Sequence, residues 1–170
     1  MSTRVALLGL WTPRRLQSWG LERLFLIAAT AFRVPVPAPQ GERLAQFAAF
    51  TREHAERALR EGNPKAERLL YSGAHAFGCE LRRRAAANSA RAGLRLARIA
   101  YRSLGIDFCA RGNAFVISRC SFARWYSAPV CEFMSALDRG LIAGLTGSRM
   151  VFSERITEGC EACRGRLEAA

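Results

Sequence analysis

Apolar residues recur at helical spacing from residue 14 to residue 32. The run Val34-Pro35-Val36-Pro37-Ala38-Pro39-Gln40-Gly41 then ends that helix, because alternating prolines force an extended connector. From Glu42 to about Arg60, the apolar residues Leu44, Phe47, Ala48, Phe50 and Ala55 alternate with charges at the same period, which predicts a second helix. Gly62-Asn63-Pro64 closes it and opens a third with proline in its first turn. The third helical stretch runs to about Leu104. A break or bend is expected near Gly73 or Gly78, since glycine costs about 1 kcal/mol in a helix interior.

After Gly105 the period falls to two. Ile106 to Cys109 and Ala114 to Cys120, separated by Arg111-Gly112-Asn113, predict a β-hairpin. Pro129 opens a helix carrying Phe133, Leu137, Leu141, Ile142 and Leu145, which ends at Gly147. Arg149 to Thr157 and Cys163 to Leu167 form a second hairpin around Glu158-Gly159. The chain thus divides into an N-terminal helix with a Pro-rich linker (1–40) and one α+β domain (41–170). That domain holds helices within 42–104, a hairpin over 106–120, a helix over 129–146 and a hairpin over 149–168. Strands segregated from helices imply a small antiparallel sheet covered on one face.

Composition changes this picture little. With 170 residues, 50% hydrophobic and 24% charged, the chain is long and apolar enough to bury a core. The net charge of +12 lies wholly in residues 1–119, and only Lys65 among 26 basic residues is lysine. Arg84, Arg91, Arg95, Arg98 and Arg102 align on one helix face with no acid between residues 81 and 106. Phosphate backbones suit such a stripe, but Tyr101 is the one aromatic within it and no nucleic-acid motif surrounds it. The plainer expectation is packing against acids of the same fold or of a partner subunit in a homodimer, with nucleic acid not bound.

The start, Met1 to Trp11, has one charge, a very short apolar run and no small-residue cleavage site, so no signal peptide is read there. The longest apolar stretch, Leu24 to Phe32, falls far short of the roughly 20 residues a bilayer requires. A soluble, cytoplasmic protein is expected. In that compartment cysteines serve metal or thiol chemistry more than disulfides.

Four of the six cysteines, Cys120, Cys131, Cys160 and Cys163, fall in the last 51 residues beside Asp138 and Glu154. Core packing is the competing use of each, because free cysteine behaves as a small hydrophobe. Cys131 stands in the first turn of its helix, where the partial positive end favours thiolate. Asp138 follows two turns later on the same face. The Cys160–Cys163 CxxC pair, completed by Cys131 and Glu154, would give four ligands acceptable to zinc, although zinc ribbons pair two such motifs and one occurs here. Thiol redox activity is disfavoured, since this CxxC lies between strands and opens no helix. His75 and Cys79 are one turn apart, but His75 reads as a packed helix residue and His54 as a solvated one. Cys79 and Cys109 are expected to pack.

The segments Val116-Ile117-Ser118-Arg119-Cys120-Ser121-Phe122, Cys131, and Glu154-Arg155-Ile156-Thr157-Glu158-Gly159-Cys160-Glu161-Ala162-Cys163-Arg164 resemble the L-2-amino-thiazoline-4-carboxylic acid hydrolase family. Ser121-Phe122-Ala123, Pro129-Val130-Cys131, Gly140 to Gly144, Glu154 and Cys163 also resemble the 4-vinyl reductase (V4R) type of small-molecule-binding domain. Two positions depart from these patterns. Thr157 stands where zinc-binding V4R members place a cysteine, and Asp138 lies further from Cys131 than the aspartate expected in the hydrolases. The first resemblance implies ring-opening hydrolysis of a small carboxylated S/N heterocycle or related amidine. Such chemistry needs a nucleophile, a general base and a cation for the carboxylate. The candidates are Cys131 with Cys163, Glu154 or Asp138 as base, and Arg119 or Arg155 as clamp, with Phe122 and Tyr126 beside the substrate. The second implies a non-catalytic accessory or sensor domain holding a small hydrophobic ligand, its pocket lined from Phe108, Phe115, Phe122, Trp125, Tyr126, Phe133 and Phe152.

Overall fold

A computed structural model describes residues 13–169. The segment Met1 to Trp11, read above as lacking a signal peptide, lies outside them. Five α-helices precede or interrupt four strands: α1 (Pro13–Phe32), α2 (Arg43–Arg60), α3 (Pro64–Arg84), α4 (Ala90–Ser103), β1 (Asp107–Arg111), β2 (Ala114–Arg119), α5 (Ala128–Thr146), β3 (Ser148–Glu154) and β4 (Cys163–Ala169). The sheet order is β1-β2-β4-β3 and every neighbouring pair is antiparallel, so the fold is α+β with helices first and two hairpins separated by a helix. Among the described residues no helix is long and apolar enough to cross a membrane.

Local signals explain most boundaries. The Asn63 side chain accepts from the Lys65 N–H at 3.2 Å, with Pro64 opening α3, and Gly147 ends α5 at φ 75°. The break between α3 and α4 falls at residues 85–89 and not at Gly73 or Gly78. There Ala86 adopts φ 49°, and Ser89 caps α4 by accepting from the Ala92 N–H at 3.2 Å. Gly73 and Gly78 stay helical. At Gly78 the missing side chain admits the α5 backbone, since a Cβ would lie 2.6 Å from the Leu141 carbonyl.

The core divides in two around α5. On the sheet side, Phe108, Phe115, Ile117, Met150 and Leu167 meet Leu141, Ile142 and Leu145 of α5 and Leu96, Ala97 and Tyr101 of α4. On the other side, Val130, Phe133 and Met134 of α5 meet Leu21 and Phe25 of α1, Phe47 of α2 and Leu70 of α3. Twelve of the 19 residues of α5 are buried, which makes it a central helix and not a surface cover.

Candidate functional site

A cavity of about 90 Å³ lies between α5 and the sheet. Leu24, Phe47, Leu104, Ile106, Ile117, Phe122, Met134, Leu137, Leu141 and Phe152 give it an apolar wall. Its polar features come from Tyr101, Tyr126, Ser135, Asp138, Arg155 and the thiols of Cys120, Cys131 and Cys163. Helical period places Cys131, Ser135 and Asp138 on one face of α5. The strand β2 ends at Arg119 and runs into a 3-10 turn, Ser121–Arg124, which brings Cys120 and Phe122 to the same space. A second 3-10 turn, Ile156–Glu158, follows β3 and carries Arg155 at its head.

Asp138 is half-buried and lines the cavity. That burial pushes its carboxyl up to about 6, while the Tyr101 hydroxyl, donating at 2.9 Å, and the nearby Arg155 and Arg139 guanidinium groups pull it back. The thiols are shifted upward as well. Burial raises Cys120 to about 12 and raises Cys131 and Cys163. The expectation that the helix start would favour thiolate at Cys131 is therefore corrected. The Cys131 N–H is already spent on the Ser127 carbonyl at 2.8 Å, and desolvation outweighs what the helix terminus supplies. The Thr157 hydroxyl, buried and without a hydrogen bond of ordinary geometry, still sits near enough to Cys131 to offset part of that rise. Cys163 Sγ accepts from the Ile156 N–H at 3.4 Å.

Arg155 is the notable cation. Its side chain is only 11% exposed, and its polar contacts are long: 3.4 Å to Ser135 Oγ and 3.8 Å to Glu158. Its guanidinium also lies 4.2 Å from the Phe152 ring centre.

Cys131, Asp138, Cys163, Arg155, Phe122 and Tyr126 thus line one space. Three other expected residues do not. Glu154 points to the sheet surface, where Arg164 donates to it at 2.5 Å. Arg119 pairs there with Asp107 at 3.1 Å. Cys160 sits in the turn before β4, off the cavity wall. The four-ligand zinc set is consequently not assembled. Among the described residues no three His, Cys, Asp or Glu side chains converge as metal ligands.

Several smaller expectations also change. Cys79 and Cys109 are exposed and not packed, because each lies on the outer face of its element. His75 is exposed beside Cys79, at 3.9 Å, while His54 is half-buried against Phe50. Of the aromatic set, Phe122, Tyr126 and Phe152 reach the cavity, and Phe108, Phe115 and Phe133 fill the core. Arg91, Arg95, Arg98 and Arg102 are exposed and none pairs with an acid among the described residues; Arg84 pairs with Glu80.

The family models, the curated proteins and the solved structures contain no match to this chain. Sequence reasoning missed Tyr101, which is 2% exposed and directs its hydroxyl at Asp138. The available signal was a tyrosine on the buried face of α4, since a buried phenol seeks a polar partner.

Proposed function

We propose that this protein binds a small, mostly apolar molecule bearing a carboxylate, in the cavity between α5 and the sheet. The enclosure of Arg155 carries this reading. A guanidinium this buried, with long contacts to Ser135 and Glu158 and with Asp138 and Cys131 beside it, keeps donor capacity toward a mostly apolar cavity, and a planar carboxylate matches its fork. The pairing agrees with the V4R-like resemblance and with the substrate-binding half of the hydrolase-like one. The test is calorimetric titration of 2-aminothiazoline-type carboxylates into wild type and Arg155→Gln. Binding weakened at least tenfold by the substitution is expected, and equal affinity would refute the clamp.

Hydrolysis is a second reading, favoured by the position of Asp138 in the same cavity with its carboxyl at about 6. A carboxylate so placed is mostly ionised at neutral pH and of useful basicity. Water would add to the carbon between nitrogen and sulfur, giving its proton to Asp138. Asp138 would return that proton to the ring heteroatom as its bond to this carbon breaks. Arg155 would hold the substrate carboxylate throughout. Cys131 is not the nucleophile in this scheme, since burial keeps its thiol protonated. Turnover that survives Asp138→Asn would remove the base; absence of turnover in wild type would leave a binding protein.

A further inference from the structure

A second apolar cavity of about 60 Å³ lies between α1, α3 and α4, walled by residues such as Trp19, Phe77, Leu96 and Ile99. Leu24, Leu104 and Leu141 line both this cavity and the one that holds Arg155. These three leucines therefore stand at the boundary between the two spaces. Two of those, Leu24 and Leu104, are only partly buried. These two can change rotamer without moving backbone, so a ligand can displace them at smaller cost than core Leu141. Position along α5 orders the route. Ser135, which contacts Arg155, lies six residues before Leu141, about 9 Å along the helix axis.

We propose that the ligand is a carboxylate with a hydrocarbon tail, its head at Arg155 and its tail passing Leu24, Leu104 and Leu141 into the second cavity. This rests on the reading of Arg155 as the carboxylate clamp. Together the cavities offer about the volume, roughly 150 Å³, that accommodates one benzene in an apolar protein cavity, so head and tail together come to about six carbons before the walls must give. The interior of the second cavity carries almost no polar group to satisfy, with Ser103 as its one hydroxyl. Its hydroxyl hydrogen is already donated to the Ala100 carbonyl at 2.7 Å, so a polar tail would find few partners there.

The experiment is a calorimetric series of linear carboxylates, butyrate, hexanoate, octanoate and decanoate, on the full chain. Affinity is expected to rise about fourfold per added methylene and to level off by decanoate. Ala100→Leu, which fills the second cavity, is expected to collapse the octanoate-to-butyrate affinity ratio. Ser103→Leu serves the same purpose should Ala100→Leu fail to fold. Detectable binding with no dependence on chain length would overturn the tail while leaving the Arg155 clamp. If neither the linear carboxylates nor the aminothiazoline carboxylates bind, the clamp itself falls and the tail with it. A ratio unchanged in both variants would place the tail elsewhere and overturn the proposal.

Discussion

Replacing Asp138 by asparagine tests whether the cavity holds a carboxylate that the fold tolerates only at a cost. In the unfolded chain this carboxyl titrates near 3.8, and in the folded protein burial holds it at about 6. The native state therefore binds the proton more tightly than the unfolded state. Stability contributed by the protonated form is complete below about pH 3.8 and is lost as pH rises toward about 6. At 1.36 kcal/mol per tenfold difference in proton affinity, the loss at neutral pH is at most about 3 kcal/mol, and less where water enters the cavity. Asparagine keeps the shape and still accepts from the Tyr101 hydroxyl, but it does not titrate.

The measurement is urea unfolding of wild type and Asp138→Asn from pH 4 to pH 8, read as the difference between the two proteins. Other titrating groups cancel in that difference. The asparagine variant is expected to gain on wild type by about 2 kcal/mol across this range, with most of the gain below pH 6.5. A difference that stays flat with pH would show that Asp138 titrates as an ordinary surface carboxyl, and would end both its burial argument and its role as a base.

Thiol reactivity checks the electrostatics from another side. Alkylation of the native protein at pH 7.5, mapped by peptide mass, is expected to label the exposed Cys79 and Cys109 first and Cys120 last, its thiol being held at about 12; fastest labelling at Cys131 would refute the argument. Cys131→Ser is expected to retain whatever turnover Asp138→Asn abolishes. Exchanging Arg91, Arg95 and Arg98 for glutamine is expected to alter solubility or sedimentation without changing retention on nucleic acid at physiological salt. Tight binding by wild type that falls steeply with salt would reverse that assignment.

The order of elements was legible because its signals are local: a change of period after Gly105, turns at Gly112-Asn113 and Gly159, and Pro129 and Gly147 around α5. The break in the third helix was misplaced because glycine in a helix has two uses, and here close helix packing prevailed over flexibility. The true boundary carried its own sign, Asn88-Ser89 before an apolar helical run. Cys131 and Asp138 were found together because two helical turns fix their relation whatever the tertiary fold. Glu154 and Arg155 were not separable. The register of β3 against β4 shifts between Phe152 and Glu154, and this irregularity accompanies a chain that sends Glu154 out to Arg164 and Arg155 in to Ser135. A pairing irregularity depends on the partner strand, which no local pattern reveals. Cys109 was legible and misread: Phe108 faces the core, so its neighbour on the strand faces solvent.

The elevated carboxyl of Asp138 requires that α5 be unable to move outward and hydrate it, and glycine contacts supply that restraint. A methyl group at Gly144 would collide with the His75 carbonyl and lie 2.8 Å from the Cys79 nitrogen; one at Gly140 would meet the Tyr71 carbonyl. On the opposite side, Gly93 of α4 abuts the Leu145 carbonyl of α5. These are contacts of backbone on backbone, so no rotamer change relieves them. Gly144→Ala must push α5 away from α3, at a cost of about 3 kcal/mol, the upper end of ordinary overpacking. Gly20→Ala, on α1 with open space around its Cα, is expected to raise stability by up to about 1 kcal/mol and serves as the control. The displaced helix would also admit water to Asp138, whose carboxyl should then fall back from about 6 toward 3.8. Gly144→Ala should therefore lose both stability and the pH dependence between those values. A variant destabilised to that extent but still titrating near 6 would show that burial of Asp138 does not depend on the clamp between α3 and α5.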